Sequence, residues 1–122
     1  MADEIKLLSR LTVVKASADV DREYIAPSAL MTWTGTELLD TIISVGFSAE
    51  EALPLGDCAS IGWCYAENLD ATNFVTIYMA TGHTVGLKLL AGEGYAFRLN
   101  ASAPYAKADT AAVRMRWVVH EV

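Results

Sequence analysis

Through the second half of the chain, apolar residues recur at every second position. Ile61, Trp63 and Tyr65 alternate with smaller residues, and Phe74, Thr76 and Tyr78 oppose Val75, Ile77 and Met79. Val85, Leu87 and Leu89 follow, then Tyr95, Phe97 and Leu99, and last Val113, Met115, Trp117 and Val119 with Arg114 and Arg116 on the other side. A period of two is the signature of a β-strand with one covered face. Turn-forming residues separate these runs: the polar knot Asn68-Leu69-Asp70-Ala71-Thr72-Asn73, then Thr81-Gly82-His83-Thr84, then Ala91-Gly92-Glu93-Gly94. Short strands at this spacing, with no long helical pattern between them, predict an all-β antiparallel sandwich or barrel. The closing strand is expected at its centre, with Val113, Met115, Trp117 and Val119 facing inward.

The first half is less regular. Ile5 to Val13 reads as one strand with Leu7, Leu11 and Val13 on a shared face. Ala18 to Ala29 reads as a loop, with Pro27-Ser28 as a break. Ala29 to Trp33 reads as a short strand ended by Gly35, and Leu38 to Val45 as another, chosen over a helix for its β-branched residues. Ser48-Ala49-Glu50-Glu51 has capping-box spacing and predicts one helical turn before Pro54. The division that results is an arm with the first strands over 1–34 and a β core over 35–122, in one domain overall. The arm, with Ile5, Leu7, Leu11 and Val13 as its apolar positions, is expected to pair with a neighbouring subunit or to dock on a sandwich edge.

With 122 residues, 53% of them hydrophobic, the chain is long enough to bury a core without disulfides or metal. Cys58 and Cys64 form no framework and are expected to be small buried hydrophobes. No basic segment followed by an apolar one marks the N-terminus, and no apolar run approaches the roughly 18 residues of a membrane span. The expectation is a soluble protein made in a cytoplasm, with no membrane partner. Residues 1–57 carry ten acids and four bases, whereas 58–122 carry five of each. That acidic balance argues against nucleic acid, whose backbone is bound by clustered Lys and Arg. A mean hydropathy of +0.30 is high for a small monomer and points to apolar surface reserved for subunits.

Little in the chain carries catalytic chemistry. Asn68, Asp70 and Thr72 put oxygens at alternate positions, as a calcium loop does, but Asn73 stands where that loop needs Gly and Met79 where it needs a bidentate Glu. Side chains folding back on their own backbone explain the knot without a ligand. Asn68, Asp70, Thr72 and Asn73, with Gly92 and Glu93 of the later turn, are therefore assigned as structural turn residues. His83 and His120 have no partner at ligand spacing, and neither a nucleophile elbow nor a phosphate loop occurs. No catalytic residue, metal or cofactor is expected. The tyrosines and tryptophans are read as core or subunit interface before a sugar or nucleic-acid platform. Asn100-Ala101-Ser102 matches a glycosylation sequon, meaningful only in a secreted eukaryotic protein.

Four stretches carry a resemblance: Glu51-Ala52-Leu53-Pro54-Leu55-Gly56-Asp57 leading to Gly62-Trp63; Asn68 to Val75; Leu87-Lys88-Leu89-Leu90-Ala91-Gly92-Glu93; and Tyr105 to Thr110 before the final strand. In this order the chain from about Gly35 resembles small virion structural proteins of tailed bacteriophages, while residues 1–34 share no pattern with them. The resemblance implies a jelly-roll-like β-sandwich with an extended N-terminal arm and a non-enzymatic place in the particle. The role it implies first is a capsid decoration (cement) protein, a homo-oligomer with a trimer favoured, bound to the major capsid protein or another virion protein. The alternative is a neck, tail, baseplate or fibre-associated module binding another virion protein or a host-surface glycan.

Overall fold

The computed structural model describes residues 4–27, 29–99 and 102–122. The Asn100-Ala101 part of the sequon and Ser28 lie outside them. The chain divides into two compact units, Met1–Thr34 and Gly35–Val122.

The first unit holds β1 (Glu4–Leu7), β2 (Arg10–Lys15), β3 (Val20–Ile25) and β4 (Ala29–Thr32). β1 pairs antiparallel with β4, and β2 with β3, as two separate two-stranded ribbons. This corrects the expected single strand over Ile5–Val13 and the expected loop over Ala18–Ala29. The break falls at Leu8-Ser9, where Ser9 accepts a hydrogen bond from the Ala26 amide at 3.1 Å and starts the second ribbon. Its turn is a short 3₁₀ segment, Ala16–Ala18, closed by Asp19 in the left-handed region (φ 53°) with its N–H donating to the Ala16 carbonyl. Asp is among the few side chains that accept that conformation, because it bonds locally.

The second unit is all-β. It contains β5 (Leu38–Val45), β6 (Glu51–Ala52), β7 (Ile61–Asn68), β8 (Val75–Tyr78), β9 (Leu87–Leu89), β10 (Gly94–Arg98), β11 (Tyr105–Ala108) and β12 (Val113–Glu121). They form two four-stranded antiparallel sheets in the orders β10-β7-β12-β5 and β6-β11-β8-β9. The pairing is nested: β5 with β12, β6 with β11, β7 with β10, β8 with β9. The expected helical turn at Ser48–Glu51 is absent. Glu51 begins β6 instead, and its carboxylate turns back to accept the Gly46 amide at 3.2 Å.

One apolar cluster draws on both sheets, an arrangement consistent with a β-sandwich. Its inward row on β12, Val113, Met115, Trp117 and Val119, is fully buried. On β7 the inward residues are the small ones, Gly62, Cys64, Ala66 and Asn68, while Ile61, Trp63 and Tyr65 lie half-buried on the opposite face. The reason lies in register: Trp117 stands beside Ala66 on one side and Thr41 on the other. The indole fills the volume that those two small residues leave, so large side chains on both strands would overfill the layer. Its ring meets Phe97 with centroids 6.3 Å apart, and its Nε1–H donates to the Pro54 carbonyl at 2.7 Å.

Candidate functional site

The candidate sites are a polar corner, a recess beside the β8–β9 loop, and the β2–β3 ribbon.

The corner begins where β7 ends. Asn68 is buried, and its amide reaches three backbone groups. Nδ2 donates to the Asn73 carbonyl (2.8 Å) and to the Leu89 carbonyl on the other sheet (3.1 Å), and Oδ1 accepts the Asp70 amide (2.9 Å). One carboxylate oxygen of Asp70 then accepts the amides of Asn73 (2.7 Å) and Thr72 (3.0 Å) and the Thr72 hydroxyl (3.3 Å). Those amide donors hold the Asp70 carboxyl below its ordinary value. Asn73 Oδ1 accepts from Thr110, which ties the corner to the approach of β12.

Gly92 and Glu93 close the neighbouring turn. Gly92 takes φ +80°, a conformation open to glycine, and its amide donates to the Asn68 carbonyl (3.1 Å), while the Asn68 amide donates to Glu93 (2.8 Å). The Glu93 carboxylate accepts the Leu90 amide (2.8 Å). The oxygens of this corner are thus directed at its own donors. No group of three or more His, Cys, Asp or Glu at metal-holding geometry occurs among the described residues.

The recess is open, about 350 Å³, and lined by Glu50, Tyr78, His83, Thr84 and Lys107. Glu50 accepts the Thr81 hydroxyl and the Gly82 amide (2.7 Å), so it pins the loop, and these bonds lower its carboxyl pKa. On the same sheet Tyr78 stands opposite Tyr105, and Lys88 lies 4.1 Å over the Phe74 ring. His120 plays a structural part. Its Nε2 accepts the Trp63 amide at 2.8 Å where the register of β12 on β7 slips, and its Nδ1 donates to the Glu121 carbonyl. Cys58 and Cys64 are free and buried. Burial raises both thiols, Cys64 to about 11, so both are protonated near neutral pH and poor nucleophiles.

The β2–β3 ribbon differs in kind. From Arg10 to Ile25 every residue is exposed except Val20, which is half-buried. Leu8 is 75% exposed, Leu11 60%, Val14 66%, Tyr24 58% and Ile25 68%. Of the arm residues singled out in the sequence, Ile5 and Leu7 are half-buried on β1, while Leu11 and Val13 are exposed on β2. Sequence reasoning missed β3, and with it Tyr24 and Ile25. The signal was there in Val20, Tyr24 and Ile25, but three charges among them read as a loop. Strand residues with apolar groups in water on a two-stranded ribbon are unusual, because such a ribbon is marginal without a covering surface.

No family model, curated protein or solved structure matches the chain.

Proposed function

We propose that the protein is a non-enzymatic structural component of a tailed-bacteriophage virion, a capsid decoration protein that assembles as a homo-oligomer on the major capsid protein. The observation that carries this reading is the ribbon Arg10–Ile25, whose Leu11, Val14, Tyr24 and Ile25 lie open to solvent as surface that a neighbour would cover. The nested pairing of β5 to β12, first strand with last, supports a jelly roll as the fold of the second unit. Jelly rolls occur in viral capsid domains and in lectins, so this support is by analogy of fold. The sequence resemblance from Gly35 onward points the same way. The polar corner, with its oxygens turned to its own backbone, reads as a clasp of that fold.

A second reading, a neck, tail, baseplate or fibre module that binds a glycan, is favoured by one feature. Tyr78 and Tyr105 stand side by side on an outer sheet face, next to a polar recess. The test is quantitative mass spectrometry of purified particles of the phage that encodes the chain. Decoration requires a copy number in step with the major capsid protein. A number matching a single ring supports the tail or neck reading, and absence from the particle ends both.

A further inference from the structure

The two faces of the β2–β3 ribbon are not alike. Residues opposite in register share a face. Pairing of Leu11 with Tyr24, Val13 with Arg22 and Lys15 with Val20 makes a first face, apolar at Leu11, Val13 and Tyr24 and basic at Lys15 and Arg22. Pairing of Arg10 with Ile25, Thr12 with Glu23 and Val14 with Asp21 makes a second face, apolar at Val14 and Ile25. On that face Arg10 and Glu23 neutralise each other in an ion pair at 3.0 Å, which leaves the charge of Asp21. The second face also ends in an open recess of about 470 Å³ bounded by Leu8, Ser9, Arg10, Ile25 and Ala26.

We infer that the ribbon joins copies of this chain head to tail, the first face of one copy on the second face of the next, with Tyr24 entering the recess beside Arg10 and Ile25. The inference rests on the assembly reading above and names its surface. Three things select this occupant and this orientation. Like faces stacked with their strands parallel would bring Lys15 and Arg22 against their own copies, or Asp21 against Asp21, and no stacking of like faces brings Asp21 to Lys15 and Arg22, as unlike faces do. The charges match in height as well, since Asp21 and Arg22 are consecutive on β3. So do the apolar parts: the Leu11–Tyr24 pair is one register step, about 3.4 Å, from the Arg10–Ile25 pair that borders the recess. There Tyr24 finds an apolar floor and a guanidinium for its ring. An unlike-face contact is heterologous, so it makes a closed ring when the rotation closes.

The test is sedimentation of the full chain and of two charge-reversed chains, Lys15→Glu with Arg22→Glu on the first face and Asp21→Lys on the second. Circular dichroism confirms that each remains folded. Wild type should sediment as a multiple of its 13.2 kDa mass, each variant alone as monomer, and the two variants mixed should associate again. Tyr24→Ser should weaken association by about 30-fold or more, the scale of a buried aromatic anchor. A monomeric wild type, variants that keep the wild-type mass, or a mixture that stays monomeric each overturns the inference. Variants that keep the wild-type mass in a chain present in particles leave the assembly reading standing. A wild type that assembles through this ribbon but is absent from particles refutes the virion reading and leaves the ribbon contact in place.

Discussion

Replacing Trp117 with Ala removes the largest side chain of the core from a slot that its neighbours cannot refill. Ala66 and Thr41 flank it in register, and both are small; Phe97 touches it from the sheet edge. The lost transfer energy and the residual cavity together cost roughly 3–5 kcal/mol for a buried aromatic. The Pro54 carbonyl also loses its donor, adding about 1 kcal/mol if water cannot reach it. A unit of this size loses roughly 4–8 °C of melting temperature per kcal/mol, so a fall of about 15–50 °C is expected. Trp117→Phe retains much of the packing but not the hydrogen bond, and should fall between the two. The assay is urea unfolding followed by circular dichroism, with the slope checked for constancy. A Trp117→Ala chain within about 1 kcal/mol of wild type would refute the packing argument. It would mean that the sheets can close over the gap.

The corner gives a second prediction: Asn68→Ala should cost roughly 3 kcal/mol by unpairing three backbone groups, and Asn68→Asp should be worse at neutral pH, with the difference shrinking in acid. For Asp70, whose folded pKa is depressed, the stabilisation is full above the ordinary value near 4 and is lost as pH falls through the lower folded value. The melting-temperature gap between wild type and Asp70→Asn should therefore narrow in acid, and a gap that widens there refutes the assignment. Gly86→Ala should open the β8–β9 pair, since its Cβ would press into the Ile77 carbonyl oxygen; protection of the Leu87 and Leu89 amides from hydrogen exchange reports it. Both thiols should resist Ellman's reagent in the folded chain at pH 8 and react together on unfolding; fast reaction of either in native buffer contradicts their burial.

What the sequence disclosed follows how local the physics is. β12 and β8 alternate apolar and polar residues over four or more positions, and their strands were legible from period alone; the apolar spacing of β5 fits a helix as well, and its β-branched residues marked it as a strand. β7 was legible as a strand, but its inward face was not. Trp63 and Tyr65 look like core residues until Trp117 is known to fill the layer above Ala66, a long-range fact. β6 and β11 are short or rich in Ala, and β6 exists because Tyr105 and Ala106 of β11 pair with it. The capping-box spacing at Ser48–Glu51 misled because the Glu51 carboxylate finds the Gly46 amide instead of a helix start. At the corner, the bonds of Asp70 to Thr72 and Asn73 obey a local rule for such side chains. The reach of Asn68 to Leu89, which links the two sheets, obeys no rule that spacing can express. The spacing of the arm predicts one strand seeking a neighbour, and β3 supplies that neighbour from within the chain while leaving the apolar surface uncovered.

The most direct trial of the proposal that this is a particle protein is an electron cryomicroscopy reconstruction of particles purified from the source of the chain's gene. The account predicts eight-stranded density for Gly35–Val122 at repeating positions on the capsid exterior, with adjacent copies joined through the ribbon Arg10–Ile25. A particle without that density, from a preparation in which the chain is absent by mass spectrometry, would contradict it.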